Sequence, residues 1–313
     1  MENTAMENTR TKTTRNSLIL LLTAAIWGMA FVSQSKGMDY MHPFTFNGVR
    51  SLIGAASILV YILISRKIAG DKAAPLDWKL NVKAGLLCGI FLTIASTLQQ
   101  FGIKYTSVGK AGFITTLYII FVPMFGIFLK KKVAPVVWVG MYLLCMTESL
   151  RLGAGDIMVF LCAIAFAIQI MTVDHYAARI DGAVVSCIQF TVCGVVCCIG
   201  ALIWGQPTFG QLQEGLGALL YAGVLSCGVG YTLQIVGQKG LNPTVAALIM
   251  SLESVIATIS GWIAYKIGFL TTDQTLTARQ IAGCVIVFAA VILVQLPPEW
   301  FRFGKKNASI KNA

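Results

Sequence analysis

The sequence predicts an all-α polytopic membrane protein, with ten transmembrane helices forming two inverted five-helix repeats and a short fifth helix. Three observations carry this expectation. The 313 residues are 57% hydrophobic and only 12% charged, with a mean hydropathy of +0.76, whereas soluble domains carry about a quarter charged residues. Ten apolar runs follow one another through short connections. Positive charge gathers at alternate connections, as the positive-inside rule requires of a chain that crosses repeatedly. Soluble globular, disordered and coiled-coil classes are excluded by composition alone.

Residues 1–16 are polar and contain a direct repeat, MENTA then MENTR, so they read as a cytoplasmic tail without regular structure, with Met6 as an alternative start. No small-residue cleavage site follows the first apolar run, so that run is expected to stay in the membrane. The runs are Ser17–Gln34, Thr45–Ile64, Ala84–Ile103, Ala111–Leu129, Val133–Met146, Ile157–Val173, Ala183–Trp204, Leu216–Gly237, Pro243–Tyr265 and Gln280–Leu296. Residues 17–146 would form the first repeat, 157–296 the second, and 297–313 a basic cytoplasmic tail. The fifth run has 14 residues. As a helix it covers about 21 Å at 1.5 Å per residue, short of a hydrocarbon core of roughly 30 Å, so a re-entrant segment is the alternative. Charge decides between them. If all ten runs span and the N-terminus is cytoplasmic, 17 of the 24 Lys and Arg lie inside; if the fifth fails to cross, only 14 do. Ten spans and two cytoplasmic termini in the inner membrane fit the rule better.

A shift of 135 residues aligns Leu98–Leu117 with Leu233–Leu252 and matches seven of 20 positions, among them Gln99 with Gln234 and Gly102 with Gly237. A repeat unit of five helices is odd-numbered, so its two copies insert in opposite orientation and place a binding site near the midplane between them.

The net charge of +11 is then a topology signal rather than a nucleic-acid footprint. The nine cysteines lie in apolar runs without CxxC spacing and read as small packing residues, and the two histidines sit at helix ends. No metal or other cofactor is expected. The expected partners are a small-molecule substrate and the lipid bilayer, with a homodimer left open.

Polar side chains inside spans are costly and are functional candidates by default. Glu253, the only acid well inside an apolar run, reads either as a substrate-amine or proton-carrying carboxylate or as a structural hydrogen bond. Arg50, a turn and a half into the second run, could bind an anionic group or snorkel to lipid phosphates. Gln34, Gln99, Gln169 and Gln234, with Gln100 and Gln189, supply neutral donors and acceptors that could line a polar path or tie helices together. Trp27 and Tyr118 lie within spans, away from the interfacial belts that suit Trp78, Trp204 and Trp300. No phosphate-binding loop, HExxH or nucleophile–base set is present, which argues against an ATP-driven pump or an enzyme.

The stretches Ala24–Phe31 (AAIWGMAF), Phe46–Arg50 (FNGVR), Leu98–Ser107 (LQQFGIKYTS), Ser251–Ser254 (SLES) and Gly283–Ala289 (GCVIVFA), in that order and spacing, resemble bacterial drug/metabolite transporters of the EamA type. The resemblance runs from Ser17 to Leu296. It implies ten helices in two inverted halves, cytoplasmic termini, and export of amino acids or other small organic metabolites by alternating access. The chain departs from the pattern in its short fifth helix and in the stretch Tyr265–Thr275, which lacks the acid usual there. A non-transporting membrane receptor or partner protein on the same helix framework is the alternative function.

Overall fold

The structure is a computed structural model that describes residues 2–70, 75–128 and 153–295. The fifth apolar run, expected to be a short helix, and the basic C-terminal tail lie outside the described residues. Among the described residues every regular element is helical, and eight segments are long and apolar enough to cross a membrane.

The first helix, α1 (Glu2–Gly37), starts fifteen residues before the apolar run, which corrects the expectation of an unstructured tail. The polar segment contains neither Pro nor Gly, so nothing in it stops the helix from continuing. Asn16 also anchors it, donating to the Lys239 carbonyl at 2.7 Å. Helices α2 (Pro43–Ala69) and α3 (Trp78–Ile103) follow. Pro43 occupies the first turn of α2, where its missing N–H costs nothing, and the Asp77 side chain caps α3 by accepting from the Leu80 N–H at 3.0 Å.

The next span is broken into α4 (Val108–Thr115) and α5 (Tyr118–Phe128). Then come α6 (Ala154–Tyr176) and α7 (Gly182–Gly200), the latter running into a π-helical turn at Ala201–Gly205. A short amphipathic α8 (Phe209–Glu214) leads to a composite span made of α9 (Leu216–Leu220), a π-helical stretch at Tyr221–Gly230 and α10 (Tyr231–Gln238). A second broken span consists of α11 (Pro243–Met250) and α12 (Leu252–Lys266), and α13 (Ala278–Gln295) comes last.

The two broken spans break alike. The Thr116 N–H bonds to the Gly112 and Ile114 carbonyls, and the Ser251 N–H to those of Ala247 and Ile249; each residue of the second set lies 135 positions after its counterpart. Their starts match as well, with Ser107 capping α4 and Asn242 capping α11.

Packing follows the same correspondence. Helix α1 packs on α12, and α6 on α4 and α5; α1 packs on the π stretch and α10, and α6 on α3; α2 packs on the π stretch, and α7 on α3. Helices α2 and α7 face each other, as do α4 and α12. Gly102 lets α3 approach the Gly155 carbonyl of α6 to where a Cβ would stand 2.7 Å away, and Gly237 lets α10 approach Leu20 of α1 equally closely.

The stretch after α12 closes with Gly268 at φ +74°, where its N–H bonds to the Tyr265 carbonyl in the left-handed conformation that glycine adopts without cost. It then folds back so that Gln274 Oε1 accepts the Val108 N–H at 3.0 Å, serving one of the open donors at the start of α4. Near the same end, Asp156 is 3% exposed. It accepts from Lys110 Nζ at 2.6 Å, from Thr106 Oγ1 at 2.7 Å and from the Gly153 N–H at 2.8 Å, locking α4 to α6. Removing one partner strands the others, so Asp156→Ala is expected to destabilise the protein by about 1–3 kcal/mol, read as a lower melting temperature.

Candidate functional site

One cavity near the middle of the bundle is lined by Trp27, Gln34, Arg50, Gln99, Tyr118, Gln169, Gln234 and Glu253. The structure thus brings all eight sequence candidates to one place. Its volume is about 30 Å³, room for roughly two waters, so a metabolite enters only if helices separate.

Glu253 lies in the first turn of α12, directly after the break at Ser251. Its placement depends on small neighbours. A Cβ on Gly28 of α1 would stand 2.6 Å from Ile256 Cβ and 2.8 Å from the Glu253 carbonyl oxygen. A Cβ on Gly112 of α4 would stand 2.9 Å from Ala257 Cβ. These two glycines let α12 sit between α1 and α4. The carboxyl is 3% exposed, and its Oε1 has no hydrogen-bond partner. Tyr118, at the corresponding break of the other span, lies within hydrogen-bonding and electrostatic reach of it.

Arg50 is 5% exposed. Its Nε donates to Asn47 Oδ1 at 3.0 Å, and its guanidinium lies 5.6 Å from the Phe46 ring centre. Among the described residues no ion pair joins Arg50 to Glu253. The cavity therefore has a buried cation and a buried carboxyl on its walls, neither one neutralised by the other.

The glutamines form chains across the bundle. Gln234 Nε2 donates to Gln169 Oε1 at 3.3 Å, and Gln169 Nε2 donates to Gln189 Oε1 at 3.4 Å. Gln99 Nε2 donates to Thr115 Oγ1 at 3.2 Å, and Gln100 Nε2 to the Gln34 carbonyl at 3.2 Å. Gln100 and Gln189 thus support the wall from behind. The side-chain oxygens of Gln34 and Gln234 accept no bond. With Glu253 Oε1 they make a set of unfilled acceptors, each expensive to bury unsatisfied.

Sequence reasoning missed Ala30, Phe31, Thr115, Phe166, Ile170, Ser226 and Tyr231, which complete the lining. A signal for some of them was present. The 135-residue shift carries Phe31 onto Phe166, Gln34 onto Gln169 and Tyr118 onto Glu253, as it carries Gln99 onto Gln234. Ser226 and Tyr231 depend on the π-helical stretch. There the Ser226 carbonyl accepts from Trp27 Nε1 at 3.4 Å, and the Tyr231 ring centre lies 4.6 Å from that of Trp27.

Two further features flank the cavity. Between α2, α3, α7 and α10 lies a larger pocket of about 580 Å³, bordered by Arg66, Asp77, Arg179, Asp181 and Lys239. The place that corresponds to it under the repeat shift holds an aromatic cluster. There Phe44 lies 5.1 Å from Phe101 and 5.5 Å from Trp204, and His42 lies 5.5 Å from Phe101. Burial, followed by the charge of Lys104, holds the His42 imidazole below its ordinary pKa, so the ring is neutral at pH 7 and packs as an aromatic.

The chain is similar to an uncharacterized transporter of Archaeoglobus fulgidus, at 27% identity over 285 residues that cover 88% of this chain and 84% of the relative. It is also similar to an uncharacterized transporter of Clostridium kluyveri, at 23% identity with 88% and 91% covered. A solved crystal structure superposes with a TM-score of 0.68 over 92% of this chain and 99% of the other, at 16% identity, which speaks for the fold alone. The model of the EamA-like transporter family matches residues 15–147 and again 153–296; with its helices long and apolar enough to span a bilayer, this multi-pass membrane protein belongs to that family.

Proposed function

We propose that the protein is a secondary transporter that exports a small zwitterionic metabolite, such as an amino acid, by alternating access. The observation that carries this reading is the pairing, in one buried cavity, of an unneutralised guanidinium and an unneutralised carboxyl with open amide acceptors around them. A substrate carboxylate fits Arg50, whose planar fork suits it. A substrate ammonium, a donor without acceptor capacity, fits Glu253 and the Gln34 and Gln234 oxygens. Trp27, Phe31, Phe166 and Tyr231 supply aromatic surface for its apolar part.

The arrangement behind this reading is ten spans in two inverted halves, both termini on the cytoplasmic side of the inner membrane. Three things support it: the matching helix breaks, the paired packing contacts and the duplicated lining residues. Two inverted halves around a central site are expected to open alternately toward each face. The aromatic cluster at one end and the open, charged pocket at the corresponding place of the other fit a molecule open toward the basic face.

Two tests follow. A thermal-shift screen of purified protein against amino acids, nucleosides and sugars is expected to give stabilisation by amino acids; stabilisation only by sugars or nucleosides would contradict the zwitterion reading. A cysteine placed at Gly153 is expected to react with an impermeant maleimide from outside intact cells. Labelling only from the cytoplasmic side would overturn the ten-span topology.

A further inference from the structure

Behind Arg50, on the side away from the cavity, four polar side chains converge on two sulfur atoms. Arg50 Nε can only donate, so the Asn47 oxygen must face it and the Asn47 amide nitrogen must face the other way. That nitrogen lies 3.0 Å from Ser96 Oγ and 3.2 Å from Cys197 Sγ. Ser96 Oγ receives the Asn47 proton and so directs its own toward Cys193 Sγ, 3.4 Å away. Ser51 Oγ donates to Cys193 Sγ at 3.4 Å, and Thr97 Oγ1 lies 3.4 Å from Cys197 Sγ. Cys193 Sγ is thus approached by two hydroxyl donors, and Cys197 Sγ by the Asn47 amide with the Thr97 hydroxyl beside it. Such a shell suits the thiolate that forms when a cation displaces a thiol proton. A compensating positive charge is at hand in Arg50, which is within electrostatic reach of Cys193.

Cys193 and Cys197 are four apart on α7 and fully buried. Residues at this spacing have Cβ atoms about 5–6 Å apart, too far for a disulfide, which needs about 3.5–4.5 Å. A single ion can bridge them. We propose that Cys193 and Cys197 are the two ligands of one soft monovalent cation, Cu(I) or its probe Ag(I), with the Arg50 guanidinium as counter-charge. Thiolate ligands select such ions. Binding breaks two S–H bonds, forms two S–metal bonds and releases two protons to solvent. The bis-thiolate complex then carries one negative charge, which Arg50 balances within a medium where an unpaired charge is costly. No electron changes hands.

The test uses the full chain in detergent and Ag(I) alone, in chloride-free buffer. In a variant that keeps Cys193 and Cys197 but replaces the other seven of the nine cysteines by Ser or Ala, equilibrium dialysis is expected to give one silver per chain. Affinity should rise with pH because protons are released. Adding Cys193→Ser should abolish binding, and Arg50→Gln should weaken it at least tenfold. No bound silver, or silver retained after Cys193→Ser, overturns the proposal. Should the seven-fold variant not fold, the Cys193→Ser/Cys197→Ser double variant of the otherwise intact chain must bind one silver fewer than wild type, and an unchanged count overturns it equally.

Discussion

Glu253→Gln is expected to lower transport of the cavity's substrate by about 100-fold while leaving the melting temperature of the protein nearly unchanged. The two expectations come from the same geometry. The carboxyl is buried, its Oε1 has no partner, and among the described residues it is in no ion pair. A buried carboxyl in no ion pair loses little stability when it is made an amide of the same shape, which can still bond the neighbouring Tyr118. A substrate ammonium, in contrast, loses its counter-charge in a water-poor site, where removing one partner of a buried charge pair costs about 2–5 kcal/mol; 1.4 kcal/mol is tenfold in affinity. If Glu253 also carries the coupling proton, the variant's residual transport will not change between pH 5 and 8. A pH profile parallel to that of wild type would remove the coupling role and leave the binding role standing. Arg50→Gln should reduce transport comparably, with the larger effect on the apparent KM for substrates that carry a carboxylate.

Gly28→Val is expected to damage the bundle and the cavity together. Its Cβ would lie 2.6 Å from Ile256 Cβ and 2.8 Å from the Glu253 carbonyl oxygen, inside van der Waals contact with both a β-branched side chain and backbone. Neither can swing aside, so α1 and α12 must separate. Overpacking of a well-filled core costs about 1–3 kcal/mol, and separation of these two helices also shifts Glu253. The variant should therefore lose several degrees of melting temperature and transport together, with Gly28→Ala intermediate. Gly217→Ala is the matched control: no atom lies within 4 Å of the added Cβ, and alanine is the better helix former, so its melting temperature should equal or exceed that of wild type. Equal behaviour of the Gly28 and Gly217 variants would show that the α1–α12 contact is less tight than described.

Much of the site was legible in the sequence because the bilayer makes polar side chains conspicuous. A glutamine or an arginine in a run such as Thr45–Ile64 has to be placed against protein or water, and in this bundle the inward faces of several helices converge on one cavity. The 135-residue correspondence was legible for a similar reason: Gln99 and Gln234 are polar residues at matching positions of two apolar runs, and both line the cavity. The pairs Phe31/Phe166 and Tyr118/Glu253 were hidden because one is apolar and looks like any other packing residue, while the other joins two different residue types. The helix breaks at Thr116 and Ser251 left no trace either. Neither site has a glycine or proline, and the chain there is bent by its packing rather than by local backbone preference. The helical extension into residues 2–16 was missed because polar composition was taken to mean a tail, although polarity alone does not prevent a helix that continues one already nucleated.

The central claim is that the cavity holding Arg50 and Glu253 is the transport site. The most direct test is amino-acid flux in proteoliposomes, comparing wild type with Arg50→Gln and Glu253→Gln at matched reconstitution. Wild type is expected to give saturable flux of at least one amino acid and each variant a loss of about 100-fold, with Glu253→Gln melting close to wild type. Undiminished flux in both variants would contradict the assignment of the site. Absence of flux for amino acids, nucleosides and sugars alike, from a protein that co-purifies stoichiometrically with a partner, would contradict transport itself.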